Sequence, residues 1–225
     1  MQKRIPEIEE TAANILALDP DVVVRFRLLR DVLRRPAGDE ELEAVRRTLE
    51  GNRWIQELAG EQQPDGGWGA FHSRDSRLKQ RIHSTEFAVE RALALGLDSG
   101  HPILEKASRY IQDILHGRKP FPDYHEKNDR WPTGTRLFLA STLALIEPEH
   151  PLLVSERELW IEIARRTFQS GGYSQSDEMR AHAELTLATM KGSYLHLIGR
   201  YQLNLIGSRR GMLPHSIESA LLALL

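Results

Sequence analysis

The chain reads as all-α, a stack of helical hairpins repeating about every fifty residues. Three observations predict this. Nearly every apolar pattern has helical spacing, and no convincing strand alternation occurs. A Gly-Gly-aromatic turn also comes twice between helical stretches, at Gly66-Gly67-Trp68 and at Gly171-Gly172-Tyr173. The 225 residues, 40% of them hydrophobic, suffice for a globular core, and we read 1–225 as a single domain.

The elements follow in order. Helices are predicted over 7–18 and over 21–35, the latter on the stripe Phe26, Leu28, Leu29 and Val32. Two more span 40–49 and 52–60. A helix over 84–96 carries Phe87, Ala88, Ala92, Leu93 and Leu95. Thr85 is its expected N-cap, with Glu86 near the positive helix end. Pro102 suits the first turn of a helix over 102–116, where a missing amide donor costs nothing. A helix over 134–146 follows. Pro151 opens the helix over 152–169, which carries Leu159, Trp160, Ile163 and Ala164. The last three span 178–190, 193–206 and 215–225. Prolines cluster in the breaks, at Pro20, Pro36, Pro120, Pro122, Pro148 and Pro214 among others.

The repeat shows in matched landmarks. Ala92-Leu93-Ala94-Leu95 runs into His101-Pro102-Ile103-Leu104, and Leu143-Ala144-Leu145-Ile146 runs into His150-Pro151-Leu152-Leu153. The His-Pro pairs lie 49 positions apart, and Thr85 and Thr135, each read as opening a helix, lie 50 apart. Such hairpins bury their inner faces only against neighbours, so they stack.

Gly66 and Gly67 can take positive φ, and Asp65 can accept local backbone amides in a turn. Trp68 supplies a large plate to pack between hairpins. These four are read as structural. The stretch Gln62-Gln63-Pro64-Asp65-Gly66-Gly67-Trp68-Gly69 resembles the Gln-Trp repeat of squalene–hopene cyclases and prenyltransferase-like proteins. Asp19-Pro20-Asp21 through Arg30-Asp31 also looks like the opening helices of bacterial toroid proteins of unassigned function. The resemblance covers roughly residues 15–175. It implies an α/α-toroid, or a partial one, around a cavity that takes an apolar, isoprenoid-like small molecule. The Asp-x-Asp-Asp acid, the Asp-Asp-x-x-Asp diphosphate motif and the cysteine zinc ligand of those families are absent here. About four hairpins are fewer than such a ring uses, which leaves an open arc or one closed by a second copy. The apolar run Ala220 to Leu225 either docks into the core or continues in a longer parent chain.

Composition narrows the function classes. A net charge of −2 favours neither nucleic acid nor an anionic membrane. The basic run Arg25, Arg27, Arg30, Arg34 and Arg35 is offset by Asp31 and by Asp39-Glu40-Glu41, and reads as a solvated face. Without cysteine there is no disulfide, thiolate nucleophile or cysteine zinc site. No membrane span and no secretory signal are read, and a cytoplasmic location is expected. No nucleophile elbow and no phosphate loop occurs, and no cofactor is assigned.

Reactive side chains concentrate in two loops, His72 to Glu86 and Asp123 to Thr133. The repeat places His83–Glu86 and Thr133–Arg136 at one rim. His83 and Glu86, read as i, i+3 on one helical face, are candidate catalytic residues, as are His125 and Asp129. His72, Tyr124, Trp131, Arg136 and Tyr173 are candidate ligand contacts. A metal on His83, Glu86, His72 and Asp75 is weighed, but no ligand motif supports it, and no metal is assigned. Tyr201 is read as helix packing with its polar tip satisfied. The function expected is a cavity protein that binds or acts on an apolar small molecule. The alternative is a non-catalytic helical-repeat scaffold that presents a concave face to a protein partner.

Overall fold

The computed structural model of the chain describes residues 5–73, 79–123, 132–186, 199–209, 211 and 213–223. Among them are eleven α-helices, one π-helical turn and no strand; Gly69 and Ala70 only form isolated bridges to Ser84. The helices are α1 (Pro6–Ala17), α2 (Val22–Arg27), α3 (Glu40–Leu49), α4 (Arg53–Glu61), α5 (Thr85–Ala94), α6 (Pro102–Leu115), α7 (Pro132–Ile146), α8 (Leu153–Thr167), α9 (Gln175–Leu185), α10 (Arg200–Gly207) and α11 (His215–Leu222). Short polar side chains start many of them. Asp21, Asp39, Asn52, Ser84 and Ser174 each accept an otherwise orphaned first-turn amide.

From α4 to α9 each helix packs on the next, α5 also meets α7, and α10 folds back onto α7 and α8. The core between them holds Phe26, Leu58, Trp68, Phe71, Leu104, Ile111, Leu137 and Trp160, all fully buried. The two His-Pro corners share one device. His101 Nδ1 accepts the Ile103 N–H and His150 Nδ1 accepts the Leu152 N–H, both at 3.2 Å. Each imidazole thus caps the chain ahead of α6 or α8.

Four local readings are corrected. The helix expected over 21–35 is broken: α2 passes into a π-helical turn, Leu28–Val32, closed by Leu33 N–H to the Leu28 carbonyl. The turn sets Arg27 and Arg30 to donate to the Ala94 and Gly96 carbonyls at the end of α5, and Asp31 pairs with both guanidiniums. Ser84, not Thr85, caps α5, because Ser84 is the last extended residue and its hydroxyl accepts the Phe87 N–H. Thr135 does not open α7; Pro132, with its preset φ, does so three residues earlier. Phe87 lies on the solvent side of α5, whose inner face is Thr85, Glu86, Ala88, Val89 and Ala92.

The first Gly-Gly turn is packed shut. Gly66 has φ +99°, and a Cβ there would collide with the Lys106 carbonyl of α6. A Cβ on Gly67 would come 2.8 Å from the Tyr110 ring. Asp65 accepts the Gly67 N–H, Trp68 Nε1 donates to the Leu58 carbonyl, and Trp68 N–H donates to the Thr85 hydroxyl. The second turn stands open. Gly171 also has positive φ, but among the described residues no atom lies within 4 Å of where its Cβ, or that of Gly172, would be.

Candidate functional site

The fold brings one buried carboxylate into contact with two other segments, the loop at His72 and the start of α10. Glu86, in the first turn of α5, has a side chain only 7% exposed. Its Oε2 lies 2.8 Å from His72 Nδ1, and its Oε1 accepts the Tyr201 hydroxyl at 2.7 Å. Arg200 Nη2 donates to the same Oε1 and to Glu90 Oε1, one turn further along α5. The Tyr201 hydroxyl is also 3.0 Å from His72 Nδ1. Phe138 of α7 backs the group: its ring stacks on the His72 imidazole with centroids 4.1 Å apart, and Tyr201 leans on Phe138 at 4.6 Å.

Each partner is there for a local reason. Ser84 caps α5, so Glu86 falls in the first turn, where the helix dipole favours a carboxylate. The backbone that carries His72 is fixed by Asp123, whose carboxylate accepts the N–H groups of Phe71 (2.5 Å), His72 (2.8 Å) and Ser73 (2.6 Å). Arg200 and Tyr201 open α10, which lies along α7.

The electrostatics keep Tyr201 and Arg200 in their protonated forms. Burial, then the hydrogen bond to Glu86, raises the Tyr201 phenol well above the ordinary tyrosine range. Burial also raises Glu90, with Arg200 opposing and the Glu86 charge adding to the rise. Burial works against the Arg200 cation, but the Glu86, Tyr201 and Glu90 charges outweigh it and raise Arg200 above its usual value. A carboxylate that accepts from Nδ1–H fixes the imidazole tautomer and leaves the lone pair on Nε2.

Of the residues chosen from sequence, the fold joins His72 to Glu86. His83 does not share a helical face with Glu86: it precedes the extended cap Ser84, and its carbonyl accepts the Ala70 N–H. Arg136 is committed to the buried Glu156 of α8 at 2.6 Å, and Tyr173 to the buried Glu178 of α9 at 2.5 Å. His125, Asp129, Tyr124 and Trp131 lie outside the described residues, as does Asp75. Among the described residues no three His, Asp or Glu side chains are grouped to hold a metal ion, and no helix is long and apolar enough to cross a membrane.

Glu90, Asp123, Phe138 and Arg200 were not singled out as site residues from sequence. No local motif links them: Tyr201 lies 115 positions from Glu86, and Asp123 lies 51 from His72. By sequence, Arg200 and Tyr201 fall inside a helix predicted over 193–206, with no local sign that they meet Glu86. Searches against protein-family models, curated proteins and solved structures each found no match to this chain.

Proposed function

We propose that this chain binds and processes a small molecule by proton transfer at His72, in a hairpin stack of α/α-toroid type. The carrying observation is the buried Glu86 carboxylate, bonded to His72 Nδ1 on one oxygen and to the Tyr201 hydroxyl on the other. Glu86 orients the imidazole so that Nε2 acts as general base and, once protonated, returns the proton to the substrate, while the Tyr201 hydroxyl holds Glu86 in place. The Phe138 ring beside His72 offers apolar surface at the reacting end. Together with the resemblance of the Gln62–Gly69 turn, this favours an apolar, isoprenoid-like substrate. An imidazolium is a weak acid, so the reaction class is proton shuffling next to an activating group rather than protonation of an isolated alkene.

The test is binding of a soluble isoprenoid alcohol, farnesol, followed by calorimetry and native mass spectrometry. His72→Ala and Tyr201→Phe should each weaken binding or turnover at least about tenfold with helical circular dichroism unchanged, a loss typical of one removed charge-assisted or proton-transfer contact. Equal behaviour of both variants and the parent would sink the reading.

A second reading is supported by the open turn at Gly171–Tyr173 and by exposed Met179 on α9. In it the hairpins form a scaffold that covers this edge with a protein partner. Binding to a partner that survives His72→Ala but not Tyr173→Ala would favour it.

A further inference from the structure

We infer that Asp123 is the positioning residue of the site and acts through His72. Asp123 is 2% exposed, and its carboxylate meets the site through the backbone at 71–73. It collects three successive backbone N–H groups: Phe71 donates to Oδ1, and His72 and Ser73 donate to Oδ2. Consecutive amides pointing into one concavity repel one another unless an anion sits there. The backbone at 71–73 therefore holds this shape because of the Asp123 charge, and the shape aims His72 at Glu86. The contact is backed by packing, since the Phe71 ring meets Phe121, two residues before Asp123, with centroids 5.5 Å apart. Asp123 also joins the two loops that sequence marks as richest in reactive side chains.

The nature of the charge follows from the donor count. An asparagine offers one oxygen and one amino group where Asp123 has two oxygens. Either the Phe71 amide or the His72–Ser73 pair would then face another donor. Asp123→Ala should disturb His72 most and Asp123→Asn less. The consequence for catalysis rests on the proton-transfer reading of His72; the placement itself does not.

The experiment uses the full chain with ¹⁵N-labelled histidine. Imidazole nitrogen shifts report the His72 tautomer in the parent, in Asp123→Ala, in Asp123→Asn and in Glu86→Gln. The expected result is a single Nδ1–H tautomer in the parent and a mixture in Asp123→Ala, with added acetate restoring the parent pattern by filling the vacated nest. Any turnover at His72 should fall about a hundredfold in Asp123→Ala, the cost of a misplaced catalytic group. A parent-like His72 spectrum in a folded Asp123→Ala or Asp123→Asn protein overturns the proposal. A shifted spectrum, with His72→Ala neutral for farnesol binding and turnover, upholds the placement and overturns the proton-transfer reading instead.

Discussion

The two Gly-Gly-aromatic turns share a sequence pattern and differ in what surrounds them. Trp68 is 0% exposed and bonds the Leu58 carbonyl and the Thr85 hydroxyl, whereas Tyr173 is 40% exposed, beside Phe168 and bonded to Glu178. Gly66 and Gly67 are needed because another backbone and a ring press on them; at Gly171, among the described residues, only the positive φ calls for glycine. The same turn is thus pressed against a neighbouring helix in one place and exposed in the other. In a hairpin stack, the neighbour rather than the motif sets the energetic weight of a turn.

Parallel substitutions at the two turns would break or sharpen this contrast. The largest difference is expected for the aromatics. Trp68→Ala should cost about 3–5 kcal/mol, and Tyr173→Ala about 1 kcal/mol, in urea unfolding. Equal losses would mean that the second edge is covered in solution. Next come the glycines. Gly66→Ala combines left-handed strain with a collision against α6 and should cost about 3 kcal/mol, whereas Gly171→Ala should cost about 1 kcal/mol from strain alone. A mild Gly66→Ala would show that α6 yields easily at Lys106.

The smallest effect is in titration. The hydrogen bond to Glu178, then burial, pushes Tyr173 up to about 12. A raised phenol pKa means the fold binds this proton more tightly than the unfolded chain does. Its contribution is therefore whole below the ordinary tyrosine value of about 10 and is lost as pH rises from there toward 12. Tyr110, which covers Gly67, is also raised, but by burial first and only then by the Asp65 and Asp123 charges. Phenolate absorbance should show Glu178→Gln returning Tyr173 toward the ordinary range and leaving Tyr110 unmoved. A shift of both would mean that the two turns are electrically coupled.

How far the sequence foretold this depends on the range of the interaction. Helices set by period and caps were legible: 40–49 coincides with α3, and 102–116 overruns α6 by one residue. The π turn was not, because Arg27 and Arg30 are held by carbonyls at 94 and 96 that no local pattern reveals. In the site, Glu86 and His72 were visible as reactive types in one loop region. Their pairing was not, since i, i+3 spacing drew attention to His83, which the extended Ser84 turns out of the helix. Tyr201 read as packing because its partner is a carboxylate 115 residues away.

That distance matters during synthesis. His72 and Glu86 leave the ribosome first, Asp123 later, and Arg200 with Tyr201 well after most of the hairpins exist. Local helical contacts form early, and contacts between remote segments form late. A nascent chain that has not yet made α10 leaves Glu86 without its phenol and guanidinium, and leaves α7 and α8 without the buried Leu205 and Ile206. If His72 transfers protons as proposed, a chain without residues 200 and 201 should lose that activity, because Glu86 then lacks both partners from α10.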